Sequence, residues 1–475
     1  MKPRTAEFKK TASRTLRDPQ IQRGLEAVYS NFHVGRQRQA VATPNWEDQQ
    51  DRGRAIKAHT IANLDHYLAM LADNVESNGG HVFFATDAEE ANRYLVDMAL
   101  DRRVESVIKS KSMVSEEMGL AREFESAGIK TLETDLGEYI IQLAGETPSH
   151  LIAPAIHKSS DQIATLLGVE AGEMSKSKSP EDLTRLARTQ LRPHFERADM
   201  GITGVNFAIA ETGTLVIVEN EGNALLSTAG PPVHIALMGI EKVIPRLSDL
   251  PVFLRLLTKS ATGQAISSYV HFITGTSQLE EFDGPEQLYL ILLDNGRSQI
   301  LKDPYLAQTL SCIRCGACLN ACPVYETIGG HAYGSTYQGP IGAILTPQLH
   351  NYKAGLKHPF ASSLCGACGE VCPVKIEIPH ILLKLRERIQ LTQAETASNL
   401  SLERFGFRLW AWIMTCSTRF QTLSRWIRKA QRILFSKLVL QLPFSPLKYW
   451  TRNRELPRLP PESFRDLYQN RRDRE

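Results

Sequence analysis

The sequence predicts a mixed chain, an α/β domain followed by an all-α region. Three observations carry this. Between His81 and Arg297 the apolar pattern alternates between strand and helix periods, which implies a mostly parallel sheet with helices on both faces. Seven of the eight cysteines then fall between Cys312 and Cys372. Beyond them, residues 401–475 carry 16 Lys/Arg against 6 Asp/Glu, so the chain's net +3 divides into +10 there and −7 in residues 1–400. The expected limits are 1–78 for leading helices, 79–300 for the α/β part, 301–392 for the cysteine-bearing helices and 393–475 for a basic extension.

At 475 residues, 42% hydrophobic and 23% charged, the chain has the composition of a globular protein with room for two or three domains. The opening Met-Lys-Pro-Arg-Thr-Ala-Glu has no apolar core of the kind a secretory signal needs. Gly222–Ile240 is free of Asp, Glu, Lys and Arg, but Gly230-Pro231-Pro232 and His234 make it a poor membrane span. Unpaired cysteines without an export signal point to the reducing cytoplasm.

Taken in order, Asp18-Pro19 opens a helix that Pro44 ends, because proline suits a first turn and disfavours helix just before it. Asn45 is the expected cap of a second, long helix that stops at Asn78-Gly79-Gly80. These helices read as packing or assembly elements. His81–Ala85, Val104–Ile108, Ile129–Glu133, Leu151–Pro154, Thr214–Val218, His234–Met238 and Leu288–Leu293 read as strands. Asp87–Leu100, Met113–Gly128, Glu181–Asp199 and Pro251–Lys259 read as helices, and Glu170–Pro180 as a polar loop.

Ligands of such sheets bind beyond the carboxyl ends of the strands, so the turns there are candidate binding residues. Lys109-Ser110-Lys111-Ser112 leaves a strand and enters a helix; it reads as a solvated loop, with a bound anion as the alternative. Glu133-Thr134-Asp135-Leu136-Gly137-Glu138 and Ala155-Ile156-His157-Lys158 also follow strands. Gly201–Gly204 and Glu211-Thr212-Gly213 read as tight turns, and Glu219–Asn223 as an acidic one. No G-x-G-x-x-G or G-x4-G-K-[ST] stands at these turns, which argues against a nucleotide cofactor. Glu211 is a turn residue before it is a catalytic carboxylate, and His157 a hydrogen-bonded residue before it is a proton shuttle.

The cysteines read Cys312-x2-Cys315-x2-Cys318-x3-Cys322-Pro323, then Cys365-x2-Cys368-x3-Cys372-Pro373. The first run has the spacing that holds iron–sulfur clusters, and the second repeats it without its first cysteine. Cysteines three apart wrap one cluster, and the cysteine before proline reaches the other. That assigns Cys312, Cys315, Cys318 and Cys372 to one [4Fe-4S] cluster and Cys322, Cys365 and Cys368 to a second. Ser362 stands where the eighth cysteine would be. The fourth ligand there is open among Ser362, solvent, a group from elsewhere such as His331, or none, as in a [3Fe-4S] cluster. Zinc fits poorly, because seven interlocked thiols do not divide into four-ligand sites. A disulfide framework fits a large, unexported chain no better.

Between the runs, Gly329-Gly330-His331-Ala-Tyr333-Gly334-Ser335 and Gly339-Pro340-Ile-Gly342 imply backbone packed closely against a cluster or a partner, or else an ordered surface loop. Pro379–Thr392 reads as a helix with Lys384, Arg386 and Arg388 on a basic face. Leu402–Leu440 reads as helical and mixes Trp410, Trp412, Trp426, Phe405, Phe407 and Phe420 with arginines. Such a segment can lie on an anionic membrane, grip an acidic partner or pack on the cysteine region, while Cys416 reads as buried. Leu456–Pro461 reads as extended. Nucleic acid is disfavoured for want of a reading motif.

These parts, in this order, resemble the lactate utilization protein B family. Ser-Lys-Ser-Met-Val at 110–114, Glu-Thr-Asp-Leu-Gly-Glu at 133–138, Ile-Thr-Gly-Val-Asn-Phe-Ala at 202–208 and Glu-Thr-Gly-Thr at 211–214 are similar to its N-terminal domain, and the likeness covers nearly the whole chain. The resemblance implies a fold similar to the ribose-5-phosphate isomerase and CoA-transferase group, then a helical two-cluster ferredoxin and the family's basic extension. It also implies work with lactate utilization proteins A and C in oxidising L-lactate to pyruvate, and a three-cysteine second cluster. The expected role is electron transfer. The alternatives are a self-contained oxidoreductase with a small hydroxy acid in the α/β domain, and a zinc-stabilised scaffold.

Overall fold

The computed structural model describes the chain apart from residues 1–6, 171–178, 278–280, 282–283, 350–354, 356, 397–401, 435–450, 452–453, 455–456, 458 and 474–475. Two compact units result, Met1–Gln390 and Leu391–Glu475.

In the first unit the strands are β1 (His81–Ala85), β2 (Ser106–Lys109), β3 (Lys130–Glu133), β4 (Met200–Gly204), β5 (Phe207–Ile209), β6 (Thr214–Glu219), β7 (Val233–Gly239), β8 (Val243–Ile244), β9 (Tyr269–Ile273) and β10 (Gln287–Leu293). Six of them form a sheet in the order β1-β10-β7-β4-β2-β3, with every pairing parallel. A second sheet, β8-β5-β6-β9, pairs β5 with β6 and β6 with β9 antiparallel and β5 with β8 parallel. The turn Ile240–Lys242 leads from β7 into β8 and so couples the two sheets.

Side chains alternate across a strand, and here both faces are covered. In β7, Ile235 and Leu237 join one core with Leu95, Phe124 and Met200. Their neighbours Ala236 and Met238 join another with Leu71, Val75 and Leu290. A third core mixes the cysteines with Tyr325, Tyr333, Ile344 and the helix Leu250–Ala261.

The sheet corrects several expectations. Gly201–Gly204 is no turn but the central strand β4, where a Cβ on Gly201 would lie 1.7 Å from the Ser227 carbonyl oxygen. Its glycine serves the close approach of the helix Asn223–Ala229. Leu151–Pro154 forms bends and turns instead of a strand. The strands β5, β8 and β9 went unforeseen, being short or half-exposed. Helix Met113–Gly128 is two helices, Met113–Met118 and Leu120–Ser126, broken at left-handed Gly119 (φ 74°).

The leading helices run Phe8–Thr15, Pro19–Val28, Val34–Ala42, Trp46–Ala62 and Leu64–Ser77, with a π-helical stretch Tyr29–His33. Asp18 caps its helix by accepting from the Gln20 and Ile21 amides. Asn45 precedes Trp46 in the left-handed region but makes no side-chain cap, and the long helix breaks at Asn63. The expected loop Glu170–Pro180 falls largely outside the described residues.

In the second unit, Leu402–Met414 and Ser417–Leu434 are helices separated at Thr415-Cys416, and Phe464–Arg472 is a third with a Ser463–Asp466 capping box. Residues 435–440 and part of the 456–461 segment fall outside the described residues. Cys416 is half-exposed beside the Thr418 hydroxyl, not buried as expected. Among the described residues, no helix is long and apolar enough to cross a membrane.

Candidate metal centre

The two cysteine runs repeat one backbone form at an offset of fifty residues. Arg314 (φ 62°) and Gly316 (φ 74°) take left-handed conformations in the first, as Leu364 (φ 57°) and Gly366 (φ 94°) do in the second. Short helices follow at Ala317–Asn320 and Ala367–Glu370. Within this form the Arg314 amide donates to Cys312 Sγ at 3.4 Å, and the Leu364 amide donates to Ser362 Oγ at 3.1 Å. Ser362 therefore occupies the structural place of a cysteine and takes the same backbone bond.

Cys312, Cys315, Cys318 and Cys372 line one small pocket, walled by Ile313, Ile341, Val374, Ile376 and Ile378. Cys322, Cys365 and Cys368 are electrostatic neighbours of one another, and Cys318 also feels Cys368, so the two groups adjoin. Cys365 is exposed and Cys312 half-buried, while the other five are buried.

Burial pushes the thiols of Cys315, Cys318 and Cys322 up, Cys368 to about 12 and Cys372 to about 11, and nearby cysteines add to the effect. Left as thiols they would stay protonated; iron holds the thiolate directly and removes that cost. Amides already face the sulfurs. Ile376 donates to Cys372 Sγ at 3.3 Å, and Val324 and Tyr325 donate to the Cys322 sulfur. Such bonds stabilise a ligating sulfur. The donor set thus fits iron–sulfur clusters. Among the described residues, no three His, Cys, Asp or Glu side chains close on a point as a single ion requires.

Residues outside the runs complete the surroundings. Gln50 donates to the Cys372 carbonyl at 3.0 Å, and buried Arg36 lies in the field of Cys315 and Cys372. The leading helices therefore serve the centre as well as packing. A buried ion network lies beside Cys312. Arg297 pairs with Glu117 at 2.8 Å and with Glu241 at 2.7 Å, Arg314 pairs with Glu241 at 2.8 Å, and the Tyr337 hydroxyl donates to Glu117 at 2.6 Å. Lys57 donates to the Glu241 carbonyl. Burial would raise Glu241, but Arg297, Arg314 and Lys242 outweigh it and hold the carboxyl at about 2. Burial and nearby cations push Lys242 down to about 7. Only Arg314 could have been found by pattern, since it stands between two cysteines. Lys57 and Glu241 are 184 positions apart.

The Gly329–Gly342 stretch packs on this chain itself. A Cβ on Gly330 would lie 2.0 Å from the Ser149 oxygen, and one on Gly342 would lie 2.2 Å from the Tyr337 oxygen. His331 bonds the Thr147 carbonyl at 2.7 Å. Lys109 is no solvated residue: it is buried and ion-paired to Glu133 at 2.8 Å, while Lys111 pairs with Glu138 at 2.9 Å. Carboxylates of this chain thus meet both charges, where the alternative to a solvated loop is a bound anion. His157, between Ser149 and Glu146, is a hydrogen-bonded residue as expected, though no strand precedes it. Glu211 accepts the Leu247 amide at 3.0 Å, as a turn residue would. Arg386 donates to the carbonyls of Pro359 and Ser362, and Arg388 pairs with Asp303, so that basic face is engaged.

Family models match three stretches: a LUD domain at residues 68–293, a 4Fe-4S dicluster domain at 308–376, and the C-terminal part of lactate utilisation protein B at 384–473. The lactate utilization protein B of Bacillus cereus (strain AH820) is 42% identical over 472 residues, covering 99% of this chain and 98% of that one. That of Bacillus thuringiensis (strain Al Hakam) matches to the same extent. A solved duf162 family protein from Deinococcus radiodurans aligns with 48% of this chain and 98% of its own at 14% identity and a TM-score of 0.28, too slight a likeness to bear on the fold. On the strength of the near full-length identity, the chain belongs to the lactate utilization protein B family.

Proposed function

We propose that this chain is an iron–sulfur electron carrier in the oxidation of L-lactate to pyruvate. The observation that carries it is the pair of turns at a fifty-residue offset, which gathers seven thiols into two adjoining groups under amide donors. Cys312, Cys315, Cys318 and Cys372 would hold one [4Fe-4S] cluster, and Cys322, Cys365 and Cys368 the other, which is [3Fe-4S] if no fourth ligand joins. Clusters of this kind accept and release single electrons, which divides a two-electron oxidation into steps.

The chain's own part is to hold thiolates, shield them and set the charge around them. Arg36, Lys57, Lys242 and Arg314 surround the first group with cations, which favours its reduced, more negative form. Lactate utilization proteins A and C are the partners in this reading. The arginine- and tryptophan-bearing helices of the second unit would touch the inner face of the membrane, with the rest cytoplasmic. The domain limits at 78, 300 and 392 and the likeness to the ribose-5-phosphate isomerase and CoA-transferase fold belong to the same proposal. The parallel six-stranded sheet supports the latter.

The test is iron and sulfide content of anaerobically purified chain, with electron spin resonance during reductive titration. Two separable cluster signals are expected, and both should be reduced by L-lactate once the partners are added. Colourless, iron-free protein would sink the proposal.

A further inference from the structure

A second feature of the first unit lies where the parallel strands end. A cavity of about 530 Å³ opens at the carboxyl ends of β2, β3, β4 and β7, the end of such sheets at which ligands bind. Its lining is apolar over Ile152, Ile217, Val218 and Leu257, carries the carboxylates of Asp135, Glu138, Glu219, Glu221 and Glu241, and includes the cations Lys111, Lys242 and Arg314. Lys242 is only 8% exposed and lies in the field of Glu241, yet among the described residues its ammonium makes no hydrogen bond. Arg314 bonds Glu241 through Nη2, but its buried Nη1 has no partner. A buried cation without a partner is costly, and buried donors are almost always satisfied. A buried guanidinium nitrogen with no acceptor and an ammonium with no hydrogen bond, both lining one cavity, therefore mark a place where an anion completes the structure.

We propose that this cavity binds a small organic acid, its carboxylate held by Lys242 and Arg314 and its remaining atoms against the Ile217–Val218 wall. Carboxylate is favoured over phosphate because one ammonium with one free guanidinium nitrogen matches a single negative charge. Since Arg314 lies between Cys312 and Cys315, the site places its ligand beside the first thiol group. The choice of a 2-hydroxy or 2-oxo acid rests on the proposed role in lactate oxidation, whereas the site itself rests on the unmet donors of Arg314 and Lys242 in this cavity.

The test is calorimetric titration of full-length, anaerobically purified protein with L-lactate, pyruvate and inorganic phosphate. One of the two acids should bind. Lys242→Met, which keeps the aliphatic stem, should weaken that binding tenfold or more. Val218→Trp, which fills the cavity without altering charge, should weaken it as well, while Glu211→Gln at an exposed turn should leave it unchanged. No binding of either acid, binding that survives both cavity variants, or binding of phosphate alone overturns the proposal. Iron content and reductive titration of the same samples keep the two readings apart. Intact clusters without acid binding sink the cavity site only, and absent clusters sink the electron carrier.

Discussion

Arg314 Nη2 lies 2.8 Å from Glu241 Oε1, with the side chains 7% and 1% exposed, and this pair ties the first cysteine run to the end of the central strand β7. Glu241 also holds Arg297, which in turn holds Glu117. Glu241→Gln would leave two buried guanidinium groups short of a countercharge. Breaking a buried pair from one side costs about 3–5 kcal/mol. Denaturant unfolding of the variant should show a loss of that order, and the first cluster's signal should shift while the second stays unmoved.

Ser362→Cys tests the repeat. Its Oγ takes the Leu364 amide as Cys312 Sγ takes the Arg314 amide, so a sulfur placed there meets a ready-made turn. The variant should fold normally, raise iron content toward four per second site and replace any three-iron resonance by that of a four-iron cluster. Unchanged iron and spectra would show that the position does not face the cluster.

Gly342→Ala addresses the glycine-rich stretch. The added Cβ would meet the Tyr337 oxygen at 2.2 Å and its carbonyl carbon at 2.4 Å, both backbone atoms that cannot swing away. Tyr337 bonds Glu117 and lies under Arg314, 4.9 Å from the ring centroid. Overpacking of this sort costs about 1–3 kcal/mol. A lowered melting temperature is expected, together with a disturbed first cluster.

Acid sensitivity should follow His234. Burial holds this histidine down at about 3, with its Nε2 2.7 Å from the Thr203 hydroxyl. The unfolded chain takes up that proton near the ordinary value of about 6.5. Between the two values the unfolded state binds more protons, so stability is full above about pH 6.5 and falls as pH drops toward 3. The slope is at most about 1.4 kcal/mol per pH unit for this one group. Unfolding measured from pH 7 to 4.5 should lose one proton's worth of steepness in His234→Gln.

The cysteine spacing was legible because a cluster imposes it locally, and the alternation from His81 to Leu293 was legible because β1, β7 and β10 are simple apolar runs. β4 is hidden because its glycines, needed where a helix at Ser227 and the Lys111-Ser112 turn come close, look like turn residues. Leu151–Pro154 reads as a strand in sequence, but its apolar residues serve another purpose: Ile152 Cδ1 would lie 2.8 Å from a Cβ on Gly316. The cations around the first thiol group left no trace in local sequence, since Arg36, Lys57 and Lys242 reach it from helices and turns far along the chain.

Gln50 reaches back to the carbonyl of Cys372 across 322 positions. The earliest and latest parts of the first unit thus meet at one seat, and a nascent polypeptide emerging from the ribosome has no finished receptacle until nearly all of that unit is made. Clusters held as proposed here would therefore be completed only after Cys372 has left the ribosome, late in the synthesis of the chain.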